Sequence, residues 1–236
     1  VIRHQSVTIR YFGLIPAAGS GSRMGADAPK QYLRLGSRTL LEHSVAALMS
    51  DPRVERVLIV VAAHDRQASQ LPLPGGASVA AVGGASRAES VRNGLRVLAQ
   101  QAREDDRVLV HDAARPCLSA RDLAALIDRV GADDAGGLLA APLADTVKRV
   151  VDGTVIETVD RTGLWGAQTP QLFPFGILLR ALQDCPDPGA VTDEASAVER
   201  AGLRPRVVGA TDVNLKVTTP ADWPLAEAAL KASGRW

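Results

Sequence analysis

A strand-like run, Leu14-Ile15-Pro16, leads into Ala17-Ala18-Gly19-Ser20-Gly21-Ser22-Arg23-Met24-Gly25, and Pro29-Lys30-Gln31-Tyr32 follows shortly after. Small side chains at Ala17, Ala18, Gly19 and Gly21 let backbone N–H groups come close to an anion, as in loops that cradle phosphates. Arg23 offers a planar fork to phosphate oxygens, and Lys30 acts as a point charge able to follow charge that develops on a reacting phosphorus. Together they suit a triphosphate. Two familiar phosphate loops are excluded. A dinucleotide fingerprint needs a third glycine where Met24 stands, and a Walker A loop needs glycine before the lysine, where Pro29 stands. A plain strand-to-helix connection with solvated cations is the alternative reading of the glycines, although Pro29 fixes the backbone just before Lys30.

Other polar groups stand where an open α/β sheet would expose them. Gly83-Gly84, Arg87 and Ser90 lie between a strand-like run and a helical one, the position at which such sheets bind ligands. Ser90 also reads as a helix cap, and Arg87 as a residue that shapes the loop. The run His111-Asp112-Ala113-Ala114-Arg115-Pro116 places an acid and a base on either side of two small residues at the end of another apolar strand. Lys216 follows a strand-like stretch, Arg206–Gly209. No Ser/His/Asp or Cys/His constellation and no metal-ligand spacing is apparent. Cys117 and Cys185 read as thiols of a reducing compartment.

Positioning these residues is a task for strands alternating with helices, and the apolar pattern supplies them. Strands are expected at Phe12–Pro16, Val57–Ala62, Ser78–Val82, Arg107–His111 and Gly137–Ala140. Helices are expected at Leu40–Met49, Arg87–Ala102, Ser119–Val130, Asp193–Ala201 and Ala221–Ala232. The implied fold class is α/β: a Rossmann-like, open, mostly parallel sheet with helices on both faces. One region breaks the rhythm. Asp145–Val151 and Thr154–Asp160 alternate in polarity and are joined by Asp152-Gly153, a favourable hairpin turn, so 143–174 is expected to be a β-arm leaving the sheet. An isolated hairpin is marginal in water, which makes dimerisation through this arm one outcome and an ordinary edge hairpin the other.

The chain of 236 residues, 46% hydrophobic and 22% charged, has ample material for a core, and residues 11–236 are expected to form a single domain. Residues 1–10 read as a leader without fixed structure. A net charge of +1, with both signs mixed along the chain, argues against nucleic acid or an anionic membrane as partner. With neither an apolar span nor a signal-like start, the expected location is the cytoplasm.

The segment Leu14–Tyr32 resembles the signature of the 2-C-methyl-D-erythritol 4-phosphate cytidylyltransferase family. The resemblance continues through GGASRAESVRNGL (83–95), VHDAARP (110–116), DTVKRV (145–150), DRTGLWGAQTPQLF (160–173), TDEASAVE (192–199) and NLKVTTPAD (214–222). Seven blocks in order make coincidence untenable, whereas the first alone would indicate only the wider nucleotidyltransferase class. The resemblance implies a cytidylyl transfer from CTP to methylerythritol phosphate, with Mg²⁺ bound alongside CTP. It implies Ala17, Gly84 and Ser90 at the cytosine edge, Asp112 among the CTP contacts and at the methylerythritol hydroxyls or near the metal, and Ala113 and Arg115 on the substrate side. Thr146, Arg161 and Thr169 would form a phosphate-binding set presented across a dimer interface. Thr192, which also reads as a helix cap, would touch the acceptor, and Lys216 would steady the α-phosphate. Arg23, Lys30, Arg161 and Lys216 are then the catalytic set. Ala85 departs from the family, where an acidic residue often stands, and a side-chain contact to ribose is lost with it. A phosphate monoester nucleophile is already largely ionised at neutral pH, so His111 is not needed as a base. A ribitol 5-phosphate cytidylyltransferase and a non-catalytic nucleotide-binding regulator are the competing functions.

Overall fold

The computed structural model describes residues 8–19, 29–185 and 188–236. Among them a seven-stranded sheet is built from β1 (Tyr11–Pro16), β4 (Val54–Val60), β5 (Ala77–Ala80), β6 (Arg107–Val110), β7 (Gly137–Pro142), β10 (Trp165–Pro174) and β11 (Arg206–Gly209). Two small hairpins supply the remaining strands: β2 (Arg34–Leu35) with β3 (Arg38–Thr39), and β8 (Val147–Val151) with β9 (Thr154–Val159). The helices are α1 (Leu40–Leu48), α2 (Arg87–Leu98), α3 (Ala120–Val130), α4 (Phe175–Gln183), α5 (Glu194–Arg200) and α6 (Asp222–Ala232).

Strand order across the sheet is β11-β7-β10-β6-β1-β4-β5. Every neighbouring pair is parallel except those that β10 makes, antiparallel, with β6 and β7. The chain runs from β1 outward to β4 and β5, then returns to place β6 on the other side of β1. Such a reversal opens a crevice at the carboxyl ends of the strands.

Side-chain alternation divides the core into two faces. On one side Ile15, Val57, Ile59 and Leu109 pack with Leu41, Val45 and Leu48 of α1 and with Leu123, Leu126 and Ile127 of α3. On the other, Phe12, Leu14, Leu58, Val60, Val108 and Val110 pack with Val91 and Leu95 of α2, Leu178 of α4 and Val198 of α5. Helices therefore cover both faces, as expected. A third cluster, with Leu35, Leu40, Cys117, Val217 and Leu230, ties the β2–β3 hairpin and α6 to the segment after β6.

Local signals explain the helix starts. Thr39 and Glu42 form a reciprocal capping box on α1, and the hydroxyl of Ser119 accepts from Asp122 N to cap α3. The expectation of a helix through Ala102 overshoots, because α2 ends at Leu98 and the amides of Gln101 and Ala102 both turn back to the Leu98 carbonyl. The expected arm, 143–174, divides. The β8–β9 hairpin turns at Asp152-Gly153 with positive φ at both residues, as the dipeptide suggests, but Trp165–Pro174 enters the central sheet as β10. Arg10, placed in the expected leader, is fastened to Asp106 by an ion pair of 2.6 Å.

Candidate active site

Two clefts open at the carboxyl ends of β1, β5 and β6. The first, about 500 Å³, lies between Pro16, Ala18 and Gly19 on one wall and Gly84–Arg87 with Ser90 on the other. Two glycines make its geometry possible. A Cβ on Gly83 would collide with the Ala18 methyl and the Val61 carbonyl, and one on Gly84 would collide with Glu89. The hydroxyl of Ser86 accepts from Glu89 N and caps α2. Ser90 is therefore not the cap. Its Oγ accepts from Gly84 N at 3.0 Å and donates to the Ser86 carbonyl at 2.9 Å, which closes the loop on itself.

The second cleft, about 210 Å³, is lined by Pro16, Ala17, Gly19, Lys30, Gln31, Asp112, Ala113, Ala114 and Lys216. Lys30 Nζ donates to the Val217 carbonyl at 2.7 Å, and Gln31 Nε2 donates to the Ala17 carbonyl at 2.8 Å. The short Lys30–Tyr32 turn thus pins the far end of the glycine loop to β1. Gly21 and Arg23 fall outside the described residues.

Asp112 gathers the cations of the site. Lys216 Nζ lies 2.8 Å from its Oδ2, Arg87 Nε 3.1 Å from its Oδ1, and Arg115 Nε 3.6 Å from Oδ2. Burial acts to raise its pKa, but Arg87, Lys216 and Arg115 outweigh that and hold the carboxyl well below the usual carboxylate range. Arg87 is drawn down by burial and lifted further by Glu194 and Asp112, so its charge is secure. The site therefore keeps fixed cations around one fixed anion, an arrangement made for polyanionic ligands.

His111 is fully buried, and its ring nitrogens are both engaged. Nε2 lies 3.1 Å from the Arg115 carbonyl, which can only accept, so Nε2 carries the proton and Nδ1 accepts from Thr169 Oγ1 at 3.1 Å. Thr169 Oγ1 in turn accepts from Asp112 N at 3.0 Å. Burial pushes the imidazole down to about 4, which leaves it neutral and occupied. Thr169 lies in β10 beside the end of β6, buried and bonded to His111 and Asp112, whereas Thr146 and Arg161 of the same chain are exposed beside the β8–β9 hairpin, so the expected phosphate-binding set would have to be completed by a second copy.

Thr192 is exposed just before α5, but the cap of that helix is Asp193, whose side chain accepts from Ser196 N. Ala113 follows Asp112 into the second cleft, while Arg115 lies behind it, its Nη1 donating to the Asn214 carbonyl at 2.7 Å. Sequence reasoning passed over three participants. Gln31 anchors Ala17. Asn214 is buried and donates to Gln168 Oε1 and to the Thr169 carbonyl. Glu194 is buried and grips Arg87. All three stand inside the quoted motifs, Glu194 within TDEASAVE, and an amide near a lysine was the available signal for Gln31 and Asn214.

No cluster of three or more His, Cys, Asp or Glu side chains able to hold a metal occurs among the described residues. Among the described residues Asp112 is the one carboxylate lining the second cleft. That donor set fits Mg²⁺ carried mainly by phosphate oxygens, with at most one or two protein carboxylates.

A family model described as 2-C-methyl-D-erythritol 4-phosphate cytidylyltransferase matches residues 12–232. A protein of that name from Laribacter hongkongensis is 54% identical over 224 residues, 94% of this chain and 96% of the relative. One from Dechloromonas aromatica is 51% identical over 227 residues, 94% of this chain and 98% of the relative. A crystal structure titled 4-diphosphocytidyl-2C-methyl-D-erythritol synthase superposes with a TM-score of 0.83 at 43% identity, covering 95% of this chain and 100% of that one. The family-model match, the identities over nearly all of the chain and the superposition agree: the chain belongs to the 2-C-methyl-D-erythritol 4-phosphate cytidylyltransferase family.

Proposed function

We propose that the two clefts divide the substrates of one transfer reaction between them. The chain is a cytidylyltransferase that moves the cytidylyl group of CTP onto 2-C-methyl-D-erythritol 4-phosphate and releases pyrophosphate. Ala17, Gly84 and Ser90 border the cytosine, while the amides of Ala18, Gly19 and Gly21, with Arg23 and Lys30, take the triphosphate. Asp112, Ala113, Arg115 and Thr192 face the acceptor, and Lys216 stands between the α-phosphate and the acceptor phosphate. Mg²⁺ entering with CTP supplies neutralisation of the phosphate charge, and Asp112 is the side chain placed to meet it.

The observation that carries this reading is the convergence of two lysines on one cleft. Lys30 is fixed by the Val217 carbonyl and Lys216, one residue away, by Asp112, so a single strap of chain sets their separation. In-line attack by a phosphate oxygen needs positioned charge more than proton transfer. A neutral, hydrogen-bonded His111 is consistent with that economy.

The arm extends the proposal to a homodimer. Val150, Val151, Val155 and Ile156 are between 52% and 59% exposed on the β8–β9 hairpin, more apolar surface than a free hairpin tolerates. A second copy covering it would bring Thr146 and Arg161 toward the other acceptor cleft. Sedimentation showing only monomer at assay concentration would remove that part. Among the described residues no helix is long and apolar enough to cross a membrane.

The test is initial-rate pyrophosphate release with CTP and either methylerythritol phosphate or ribitol 5-phosphate. Turnover is expected with the first acceptor, and preference for the second would reassign the substrate. Neither the ribitol alternative nor the regulator draws support from the family match. Lys30→Ala is expected to slow turnover by about two to three decades. Full activity in that variant would take the lysine out of the mechanism.

A further inference from the structure

Three segments with different duties meet at one guanidinium. Arg87 Nη1 and Nη2 reach the two carboxylate oxygens of Glu194 at 2.6 and 3.1 Å, and its Nε reaches Asp112 Oδ1 at 3.1 Å. Arg87 opens α2 beside the nucleotide cleft, Asp112 ends the β6 segment, and Glu194 opens α5 two residues after Thr192. The Glu194 side chain is only 1% exposed.

This placement is costly on local grounds. A cation at the first position of a helix opposes the helix dipole, and a buried carboxylate loses its hydration. Well-packed apolar residues would stabilise such a junction at least as well, so stability alone does not account for the pair. A bidentate arginine does fix distance and angle between the elements it joins.

The two sides of the junction are not equally self-sufficient. The nucleotide loop is closed internally, with Gly84 N held by Ser90 Oγ and Ala85 N donating to Glu89 Oε2 at 2.7 Å. The start of α5 also closes on itself, with Thr192 N donating to Ser196 Oγ at 3.2 Å and Ser196 N to Asp193 Oδ1 at 2.9 Å, but it is held from outside as well. Gln171 of β10 donates to Asp193 Oδ2 and accepts from Ala195 N, each at 2.8 Å, and Arg87 holds Glu194. Releasing Glu194 therefore removes one of the two outside holds on the Thr192 turn, Gln171 being the other, and leaves the internal bonds of the nucleotide loop in place.

We propose that Arg87 and Glu194 are a pair of positioning residues that hold the Thr192 turn at a set distance from the nucleotide cleft, and so govern affinity for the acceptor phosphate sugar. This rests on the assignment of Thr192 to the acceptor. Arg87→Lys keeps the charge and loses the fork. Glu194→Gln keeps the shape and loses the charge. Glu194→Asp keeps the charge and shortens the reach, and it serves where the other two fold poorly.

Steady-state kinetics with CTP and methylerythritol phosphate below each variant's melting temperature provide the test. Each of the first two variants is expected to raise the acceptor KM about tenfold, with CTP KM and kcat changing less, and the double variant no worse than the single ones. Glu194→Asp should raise acceptor KM by a smaller factor. A merely structural pair would lower the active fraction, hence the apparent kcat, with both KM values unmoved. That result, or strictly additive effects, overturns the inference. Absence of turnover by the wild-type protein on methylerythritol phosphate would instead overturn the functional reading beneath it.

Discussion

Strand β6 carries a buried aspartate just beyond each end, and both are ringed by arginines. Asp106, before the strand, is 1% exposed and accepts from Arg10 N, Arg10 Nη2, Arg103 N and Arg103 Nη2 at 2.6–3.2 Å. Asp112, after it, is 7% exposed and its carboxylate meets only side chains, Arg87, Lys216 and Arg115, from three separate segments. Two of the Asp106 donors are backbone amides, which cannot turn elsewhere without moving the chain. Of the Asp112 partners, Lys216 stands on a rotatable stem in the cleft and can be redirected to a phosphate, while Arg87 and Arg115 are held by Glu194 and the Asn214 carbonyl. The same pairing thus fastens the chain at the amino end of the sheet and stores cations at the carboxyl end.

Exchanging the two losses gives the sharpest test. Asp112→Asn leaves Arg87, Arg115 and Lys216 without their shared anion, and kcat/KM for pyrophosphate release is expected to fall by two to three decades, roughly 3–4 kcal/mol of barrier. Asp106→Asn is expected to leave kcat/KM per folded molecule unchanged and to lower the denaturation midpoint. A large activity loss in Asp106→Asn, or none in Asp112→Asn, would erase the distinction between the two ends.

How far the sequence announced these features depends on the distance over which each is decided. The strand at Arg206–Gly209, the turn at Asp152-Gly153 and the cap at Ser119 are local, and the structure holds them where their residues suggest. Trp165–Pro174 looks like part of an arm because its strand pairs, with Val108 and Leu138 among others, depend on strand order, which no window of sequence contains. Helix α4 follows β10 directly at Pro174, with no side-chain cap to mark it. At the site, the glycine loop and Lys30 are readable from residue chemistry, whereas Thr192, Arg161 and Lys216 gain meaning only through the family blocks. The Arg87–Glu194 grip spans 107 residues, and a buried ion pair leaves no periodic trace.

His111 sits next to Asp112 yet behaves like the fastened end of the strand. Its ordinary value of 6.5 falls to about 4 through burial, so the unfolded chain takes up a proton in a range where the folded one does not. The contribution is therefore fully present above pH 6.5 and is lost as pH falls toward 4, about 3 kcal/mol in all. Denaturant titrations across that window should show a slope that His111→Gln removes. The pH profile of kcat/KM in the same variant should keep its acid limb near 6, because that limb belongs to the acceptor phosphate. Disappearance of the limb would make His111 a working base and move it to the functional end.

Asp106 gives the smallest effect and the cleanest sign. Burial acts to raise its pKa, the Arg10 and Arg103 donors more than offset this, and the group settles at about 2 against an ordinary 3.8. A depressed carboxylate stabilises the fold above the unfolded value and ceases to do so as pH drops through the folded one. Above pH 5 the contribution is about 2 kcal/mol, and it drains away between pH 5 and pH 2. Asp106→Asn should flatten that part of the stability curve, and removing the Arg10 side chain should flatten it partly, since the Arg103 donors stay. If the acid slope survived in Asp106→Asn, the proton uptake would lie elsewhere, with Asp112 the next group to test. The two ends of β6 would then differ in mobility of their donors but not in their share of the acid sensitivity.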